Sequence, residues 1–349
     1  MNESEFTRVV RLRADVHRGR APNDATSCHG TGEYARARPV DHHALFNHHQ
    51  RRLRQVIREY AKPGVVVFAL HAEKGIAGHL WLEATAKLRA GTIGRHQNVD
   101  LHLADDEELS LRHLLLLVRR SAGALRLRVS DLATPSGFHA EEGGVLRAVT
   151  ADGTLVLRAA SYSLLVVPTG STPPWDPDAA DPWLTLPPRV AVPEARAPSR
   201  HRPRARQTEV TAVRGLVDAG PGPDRLLEPG ELVQGHLVIT TAGGEQKLAI
   251  SERALQRGII IGRYTRCAGD TSLMPDNVSR VHAVAIAVDG EVHIVDAGST
   301  NGVLIGREEV KCASIETGAT CSLGGTLVRW EPHLSSPPRA ETRGPGIHR

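Results

Sequence analysis

The chain has 349 residues, which is long enough for two ordinary domains and the segments that join them. Its formal net charge of +4 is mild for this length and does not indicate a nucleic-acid-binding surface. The four cysteines form no C-x-x-C pair, which argues against a zinc site and a disulfide framework and fits a reducing compartment.

Targeting signals are not apparent in the sequence. No apolar run approaches the roughly eighteen residues of a membrane span, and no apolar segment follows the acidic opening MNESE. We therefore expect a cytoplasmic protein with no membrane span.

Residues 1–40 are polar, lack periodicity and are expected to be disordered. Over residues 41–62, apolar side chains recur at spacings of three and four, which predicts a short amphipathic helix that ends at Pro63. The same segment carries four histidines whose spacing does not place a ligand set on one helix face, so we expect a solvated helix edge and no metal site. They are His42, His43, His48 and His49.

The rest of the chain alternates between strand-like and loop-like composition. Residues 63–169 hold short runs of branched apolar residues such as GVVVFALH, bounded by turn residues, and similar runs return over residues 225–333. Residues 170–224 are dense in Pro, Ala and Arg and predict a flexible linker, and residues 334–349 predict a disordered tail. The pattern favours an all-β protein with two β-sandwiches, a Pro/Arg-rich linker and a short N-terminal helix.

The linker contains two features that could carry function. Its arginines are not interleaved with aromatic residues for base stacking, so a solvating linker is preferred and no nucleic-acid partner is expected. Thr208 follows a basic stretch and is a candidate phosphorylation site that could occupy a recognition site on the second sandwich, although an unmodified threonine is the preferred interpretation. The arginines are Arg196, Arg200, Arg202, Arg204 and Arg206.

The stretch SRVHAVAIAVDGEVHIVDAGSTNG, residues 279–302, is the most informative part of the chain. Its alternation of branched and small apolar residues predicts a strand, and Asp289-Gly290 predicts a two-residue hairpin turn. Ser-Arg-x-His and Ser-Thr-Asn-Gly then flank the hairpin at the end away from its turn. We expect both motifs to meet in loops on one rim of a β-structure.

The two strand regions repeat each other in the same order of motifs, which predicts two copies of one fold. Asp100 and Asp270 each stand in a loop with the pattern Asp-x-x-Leu. The other corresponding blocks are GTIGR (91–95) and GIIIGR (258–263), SLRH (110–113) and SRVH (279–282), and DLATPSG (131–137) and DAGSTNG (296–302).

The motifs of the second copy predict binding of a phosphate group. Arg263 and Arg280 supply planar guanidinium donors, and Ser279 adds a short hydroxyl donor. Asn301 carries both a donor and an acceptor, as holding an extended peptide backbone requires. The three motifs contain no acidic residue to act as a base and no metal-ligand set, so neither an enzyme nor a cofactor is expected.

Gly-Arg, Ser-Arg-x-His and Ser-Thr-Asn-Gly, in this order, resemble the forkhead-associated (FHA) domain family, β-sandwiches that recognise phosphothreonine peptides. The resemblance implies that Arg263 and Ser279 contact the phosphate directly. Arg280 and Thr300 are then expected beside them. The resemblance further implies that Asn301 binds the peptide main chain. It also implies structural roles at the site for Gly262, for His282, which braces the loop, and for Gly302, which permits the turn.

The first copy departs from this pattern. Arg95 and Ser110 remain and are candidates for a weak second site. The next arginine is displaced by one position to Arg112, which strand alternation directs to the other face. Pro135 and Ser136 replace the Thr and Asn. The resemblance therefore implies a degenerate FHA-like sandwich followed by a complete one.

These features predict a phosphothreonine-dependent adaptor in bacterial Ser/Thr kinase signalling. Its expected partners are phosphothreonine-containing proteins, and a Ser/Thr protein kinase is itself a candidate. The alternative is a scaffold that binds partners without phosphate in a secretion or envelope assembly. Phosphatase treatment of a partner distinguishes these two functions.

Overall fold

A computed structural model describes the backbone over residues 7–10, 40–141, 144–189, 192–193 and 226–333. Thr208, the five linker arginines and the tail at 334–349 lie outside these ranges.

The described residues of the N-terminal half form thirteen strands and one α-helix. A 3-10 turn at Pro182–Thr185 precedes the last strand. In chain order the elements are β1 (Thr7–Val10), α1 (His42–Arg58), β2 (Gly64–His71), β3 (Gly75–Glu83), β4 (Arg89–Gly94), β5 (Leu101–His102), β6 (Leu114–Ser121), β7 (Ala124–Asp131), β8 (Phe138–Ala140), β9 (Val145–Leu146), β10 (Ala148–Ala151), β11 (Leu155–Ala159), β12 (Tyr162–Thr169) and β13 (Val192–Pro193).

These strands form two sheets with one largely aliphatic core between them. The larger sheet has the order β1-β3-β2-β12-β11-β8-β9, and the smaller has the order β13-β10-β7-β6-β4-β5. Val67 on β2 and Leu116 on β6 belong to the core that the sheets enclose. Because side chains alternate along a strand, the neighbours of Leu116 point to the outer face of the smaller sheet.

The C-terminal half repeats this arrangement. A 3-10 turn at Thr271–Leu273 lies between its third and fourth strands. Its elements are β14 (Val233–Thr241), β15 (Gly244–Ser251), α2 (Glu252–Arg257), β16 (Ile259–Ile261), β17 (Ala283–Val288), β18 (Glu291–Asp296), β19 (Val303–Ile305), β20 (Glu308–Val310), β21 (Cys312–Ser314), β22 (Thr320–Leu323) and β23 (Thr326–Pro332).

The sheet orders show that the two halves are copies of one topology. The second copy has the sheets β15-β14-β23-β22-β19-β20 and β16-β17-β18-β21. The first copy contains the same six-strand and four-strand orders, β3-β2-β12-β11-β8-β9 and β4-β6-β7-β10. Strands β1, β5 and β13 are additions to the first copy. The sequence-predicted fold class, two β-sandwiches with a short N-terminal helix, is confirmed.

Helix α1 packs on the outer face of the larger sheet of the first copy. Asp41 precedes it and caps it, because its carboxylate accepts the N–H of Ala44 at 2.9 Å. Phe46, Leu53 and Ile57 are buried in a cluster with outward-facing residues of β2 and β12. No helix in the described part of the chain has the length and apolar character needed to cross a membrane.

The expected solvated histidine edge is wrong for His42. This side chain is buried, and its Nδ1 lies 2.6 Å from the Ser163 hydroxyl. Burial lowers the pKa of His42, which favours the neutral ring. The exposed His43 contacts the Asp181 carboxylate at 2.8 Å. Within the described ranges, no three His, Cys, Asp or Glu side chains are arranged to hold a metal ion.

The segment after β12 differs from the flexible linker that its composition predicts. Trp175 and Trp183 are buried and lie edge-on to Phe46 of α1, with ring centroids 5.2 and 5.4 Å away. Arg189 is also buried and donates to both carboxylate oxygens of Glu141, at 2.7 and 2.8 Å. Two large aromatic side chains thus attach this proline-rich segment to the first copy.

A second difference concerns the N-terminus, which the sequence predicts to be disordered as far as residue 40. Thr7–Val10 form β1 and pair antiparallel with β3, so that Thr7 lies opposite Leu82 and Val10 opposite His79. Residues 11–39 lie outside the described ranges.

The two copies pack against each other through the outer faces of their smaller sheets. Leu115 and Leu117 on β6 share one buried apolar cluster with Val284 and Ile286 on β17. Strands β6 and β17 are equivalent in the two copies, so the same surface is used on both sides. The contact therefore has the character of a two-fold interface within a single chain.

Reciprocal hydrogen bonds accompany this apolar contact. Asn98 stands three residues after Arg95, and its Nδ2 donates to the carbonyl of Ser299 at 3.0 Å. Arg266 stands three residues after Arg263, and its Nη1 donates to the carbonyl of Ala133 at 3.0 Å. Ser299 and Ala133 lie in corresponding loops of the two copies. Each copy thus contacts the rim loop of the other.

Candidate functional site

Three loops of the second copy converge on one rim, as the hairpin motifs predict. The N–H of Arg263 donates to the carbonyl of Ser279 at 3.2 Å, and the N–H of Tyr264 donates to the carbonyl of Arg280 at 3.0 Å. Gly262 permits this approach, because a Cβ there would lie 2.3 Å from the Arg280 carbonyl oxygen. The loop after β16 is therefore joined directly to the loop before β17.

Arg263 is held on one side and open on the other. Its Nε donates to the carbonyl of Val278 at 3.0 Å, which fixes the direction of the guanidinium. Its Nη1 lies 4.0 Å from a carboxylate oxygen of the fully exposed Asp276. With 41% of the side chain exposed, the Nη donors are accessible to an anion.

Ser279 and Thr300 connect the second and third loops. The N–H of Thr300 donates to Ser279 Oγ at 3.0 Å, and the two hydroxyl oxygens lie 3.4 Å apart. The loop that carries Thr300 runs between β18 and β19. This bond places Thr300 beside the loop that carries Ser279.

His282 braces the same two loops from below the rim. Its Nδ1 accepts the N–H of Ser279 at 3.0 Å, so its proton lies on Nε2, which donates to the carbonyl of Gly302 at 2.9 Å. Burial lowers the pKa of His282, which favours this neutral form. Gly302 has a φ of +66°, a conformation that favours glycine.

Asn301 and Arg280 are exposed on the rim. The Asn301 Nδ2 donates to the carbonyl of Asn277 at 2.7 Å, which holds the carboxamide in place and leaves its Oδ1 as an acceptor. The Arg280 carbonyl is bonded to the first loop, while its side chain extends outward. The structure thus brings all five sequence-predicted binding residues to the three joined loops.

Sequence reasoning did not identify two residues that shape the third loop. The Asp296 carboxylate accepts the N–H groups of Gly298 and Ser299, each at 3.0 Å. The Asn277 carbonyl orients Asn301. The repeat contained a signal for Asp296, because Asp131 begins the corresponding block of the first copy. A main-chain acceptor such as that of Asn277 leaves no signal in side-chain motifs.

The first copy has the same scaffold at its rim. The N–H of Arg95 donates to the carbonyl of Ser110 at 3.1 Å. His113 accepts the N–H of Ser110 at 3.1 Å and contacts the carbonyl of Gly137 at 2.8 Å, as His282 does in the second copy. Arg95 Nε donates to the carbonyl of Leu109 at 2.6 Å. The backbone frame and the Arg95 side chain are therefore equivalent to those of the second copy.

The remaining rim chemistry of the first copy is different. Leu111 occupies the position of Arg280, and Pro135 occupies the position of Thr300. The guanidinium of Arg147 donates to the carbonyls of Thr134, at 2.5 Å, and Pro135, at 3.2 Å, and pairs with Asp131 at 2.7 Å. The structure does not reproduce at this rim the set of donors found in the second copy.

The second copy is thus a β-sandwich domain with exposed cationic and amide groups on three joined loops. Residues 259–324 match the family model of the FHA domain, and the chain contains an FHA domain there. Solved structures also match part of the chain. The Slr1951 protein from Synechocystis sp. is 25% identical, covers 28% of this chain and 98% of its own, and has a TM-score of 0.25.

Two further solved structures are of FHA domains. That of the CT664 protein from Chlamydia trachomatis is 25% identical and covers 28% of this chain and 98% of its own, with a TM-score of 0.23. That of yeast Dun1, in complex with a doubly phosphorylated peptide, is 22% identical and covers 35% of this chain and 90% of its own, with a TM-score of 0.25. None of the curated proteins matches the sequence.

Proposed function

We propose that the second copy binds phosphothreonine-containing segments of other proteins, and that the chain acts as a cytoplasmic adaptor in bacterial Ser/Thr kinase signalling. The observation that carries this proposal is the rim of the FHA domain, where Arg263, Ser279 and Asn301 lie on three joined loops. Phosphorylated substrates of a Ser/Thr kinase, and the kinase itself, are the proposed partners.

The charges at the rim suit a phosphate group. A phosphothreonine carries about −1.5 to −2 charge at neutral pH and presents three strong acceptors. The guanidinium of Arg263 is already oriented by the Val278 carbonyl, so little side-chain freedom is lost when its Nη atoms donate to a phosphate. The nearby Asp276 is fully exposed and 4.0 Å away, a geometry typical of a weak surface pair that a dianion displaces.

The rim also provides for the peptide that carries the phosphate. The Asn301 carboxamide is exposed and oriented, with an acceptor free for a peptide N–H. Ser279 and Thr300 place hydroxyl groups between the cationic side chains and Asn301. A ligand that combines a phosphate with an extended main chain uses both parts of the site.

Calorimetry with a phosphothreonine peptide library tests the proposal on the full chain. Arg263→Ala removes a charge-assisted donor, which costs about 1.5–3 kcal/mol, and is expected to weaken binding by about ten- to a hundredfold. The matched control is Arg95→Ala, at the equivalent position of the first copy, which is expected to leave the affinity unchanged.

Unphosphorylated peptides of the same sequences separate the two functional alternatives. Binding that depends on the phosphate supports the proposed adaptor. Equal binding of phosphorylated and unphosphorylated peptides, insensitive to Arg263→Ala, would falsify it in favour of the phosphate-independent scaffold.

A further inference from the structure

The third rim loop of the second copy is held from outside by the first copy. Arg112 is buried, and its Nε and Nη2 both donate to the carbonyl of Gly298, at 2.9 and 2.6 Å. The Nδ2 of Asn98 donates to the next carbonyl, that of Ser299, at 3.0 Å. Two successive peptide groups just before Thr300 are therefore bonded to the neighbouring copy.

The same two residues are held through their N–H groups by the second copy itself. The Asp296 carboxylate accepts the N–H groups of Gly298 and Ser299. The loop thus lies between an acceptor from its own copy and three donors from the first copy. Gly298 has a φ of +78°, and a Cβ there would lie 3.0 Å from the Asn98 carbonyl oxygen, so the two copies approach closely at this point.

The sequence of the first copy suits this supporting position. Arg112 corresponds to Val281, which is buried in the apolar cluster between the copies. An arginine at this position therefore reaches across the interface, while Leu111 stands where the second copy has its exposed Arg280. In the reciprocal direction, Arg266 of the second copy donates to the Ala133 carbonyl in the corresponding loop.

We propose that Arg112 and Asn98 are positioning residues for phosphothreonine recognition, because they preset the loop that presents Thr300 and Asn301 to the ligand. The proposal rests on the function proposed above. A loop that is already ordered loses less conformational freedom on binding, so its external support increases affinity without a direct ligand contact. The first copy thereby acts as part of the second copy's recognition site.

The test compares Arg112→Gln with Arg128→Gln in the full chain. Arg128 is a matched control, because it is also an arginine of the first copy that donates across the interface, to the carbonyls of Gln256 and Arg257 and not to the rim loop. We expect Arg112→Gln to weaken phosphothreonine-peptide binding by about three- to tenfold. We expect Arg128→Gln to leave the affinity unchanged.

Amide hydrogen exchange of the free protein measures how strongly the amides of the third rim loop are protected. Arg112→Gln is expected to speed exchange at the amides of Gly298, Ser299 and Thr300, which the native loop protects through Asp296 and Ser279. Arg128→Gln is expected to leave these amides protected. A general loosening of the interface would affect both variants alike and would overturn the proposal.

Two further variants distinguish a positioning role of Arg112 from a long-range charge effect and from a failure of the variant to fold. Arg112→Lys keeps the charge but not the forked pair of donors, so it is expected to restore only part of the affinity. Full restoration by Lys, together with loss of the Arg112→Gln effect at about 0.5 M salt, where the screening length is roughly 4 Å, would show a long-range charge effect instead. If Arg112→Gln does not fold, Asn98→Ala, an exposed side chain, gives the decisive measurement.

The outcomes distinguish this proposal from the proposed function. If the native chain binds no phosphothreonine peptide, both are overturned. Suppose that the native chain binds and that Arg263→Ala weakens binding as expected. If Arg112→Gln and Asn98→Ala then both bind as the native chain does, only the positioning role is overturned.

Discussion

The two copies share a scaffold but differ in the chemistry of their rims. Ten strands occur in the same order in each, and His113 and His282 brace the same loops through the same bonds. The exposed donors at the rim are nevertheless complete only in the second copy. The comparison shows that the residues which hold the rim in shape are separable from the residues proposed to bind at it.

The arginines near the first copy's rim have different partners from those expected for ligand binding. Arg112 donates into the second copy, and Arg147 holds the carbonyls of Thr134 and Pro135. Arg112 thus supports the second copy, and Arg147 supports the rim loop of its own copy. Variants on either side of this division test it, beginning with the interface that joins the copies.

The largest effect is expected from Ile286→Ala. In a separate second domain Ile286 would lie on the surface, but here it is fully buried against the first copy. Removing its side chain leaves a cavity between the copies and is expected to lower the free energy of unfolding by about 2–5 kcal/mol. Leu327→Ala, at an exposed position on β23, is the control and should cost less than about 1 kcal/mol. Urea denaturation measures both, and equal small costs would show that the copies do not dock.

The next largest effect is expected at the two positions that correspond to the FHA asparagine. Asn301→Ala removes the exposed carboxamide and should weaken phosphothreonine-peptide binding by about ten- to a hundredfold. Ser136→Ala in the first copy should leave affinity and stoichiometry unchanged. Calorimetry on the full chain measures both variants. A loss of binding in Ser136→Ala would show that the first copy also takes part in direct recognition.

Local patterns predicted most of the fold. The period-two alternation around β17 and the Asp289-Gly290 turn, where both residues have positive φ, specify the hairpin without long-range information. The repeat of motifs predicted the repeat of topology. Proline-rich composition, in contrast, concealed the docking of Trp175 and Trp183, because their burial depends on a helix more than one hundred residues earlier in the chain.

The contact between the copies was also not apparent from the sequence. Leu115 and Leu117 alternate with Leu114 and Leu116, so β6 is apolar on both faces. A strand of this kind is buried on both sides, but its pattern does not say what covers the outer face. Strand alternation did direct Arg112 away from its own copy's rim. Its acceptor, the Gly298 carbonyl, is a main-chain atom and has no sequence signature.

A smaller effect is expected on the pH dependence of stability. Burial lowers the pKa values of His113 and His282 below the ordinary 6.5, so the unfolded chain binds protons at these rings that the folded chain does not. Their stabilising contribution is complete above about pH 6.5 and is lost as the pH falls below it. Between about pH 7.5 and 5.5 each ring should account for up to about 1.4 kcal/mol.

Denaturant unfolding at several pH values measures this slope. Because the two rings have equivalent bonds, His113→Gln and His282→Gln should flatten it by similar amounts, whatever either variant does to stability at pH 7.5. Burial also lowers the pKa values of His42, His49, His96 and His293, which should contribute to the slope that remains. A slope unchanged in both variants would mean that His113 and His282 take up protons in the folded chain as readily as in the unfolded chain.

The smallest effect is expected from restoring the missing rim residues of the first copy. Pro135→Thr with Ser136→Asn returns the N–H and the carboxamide of the second copy, and a background of Arg263→Ala with Asn301→Ala weakens the native site more than either change alone. Arg95 and Ser110 already occupy the equivalent scaffold, so we expect a weak new site. Its affinity should be about ten- to a hundredfold below that of the native second copy, because Leu111 cannot replace the charge-assisted bond of Arg280. Arg95→Ala added to this variant should remove the new binding.

If no binding appears, side-chain identity does not explain the difference between the copies. The cause would then lie in the loop that Arg147 holds by its carbonyls, and adding Arg147→Lys, the residue at the corresponding position 311, should release it.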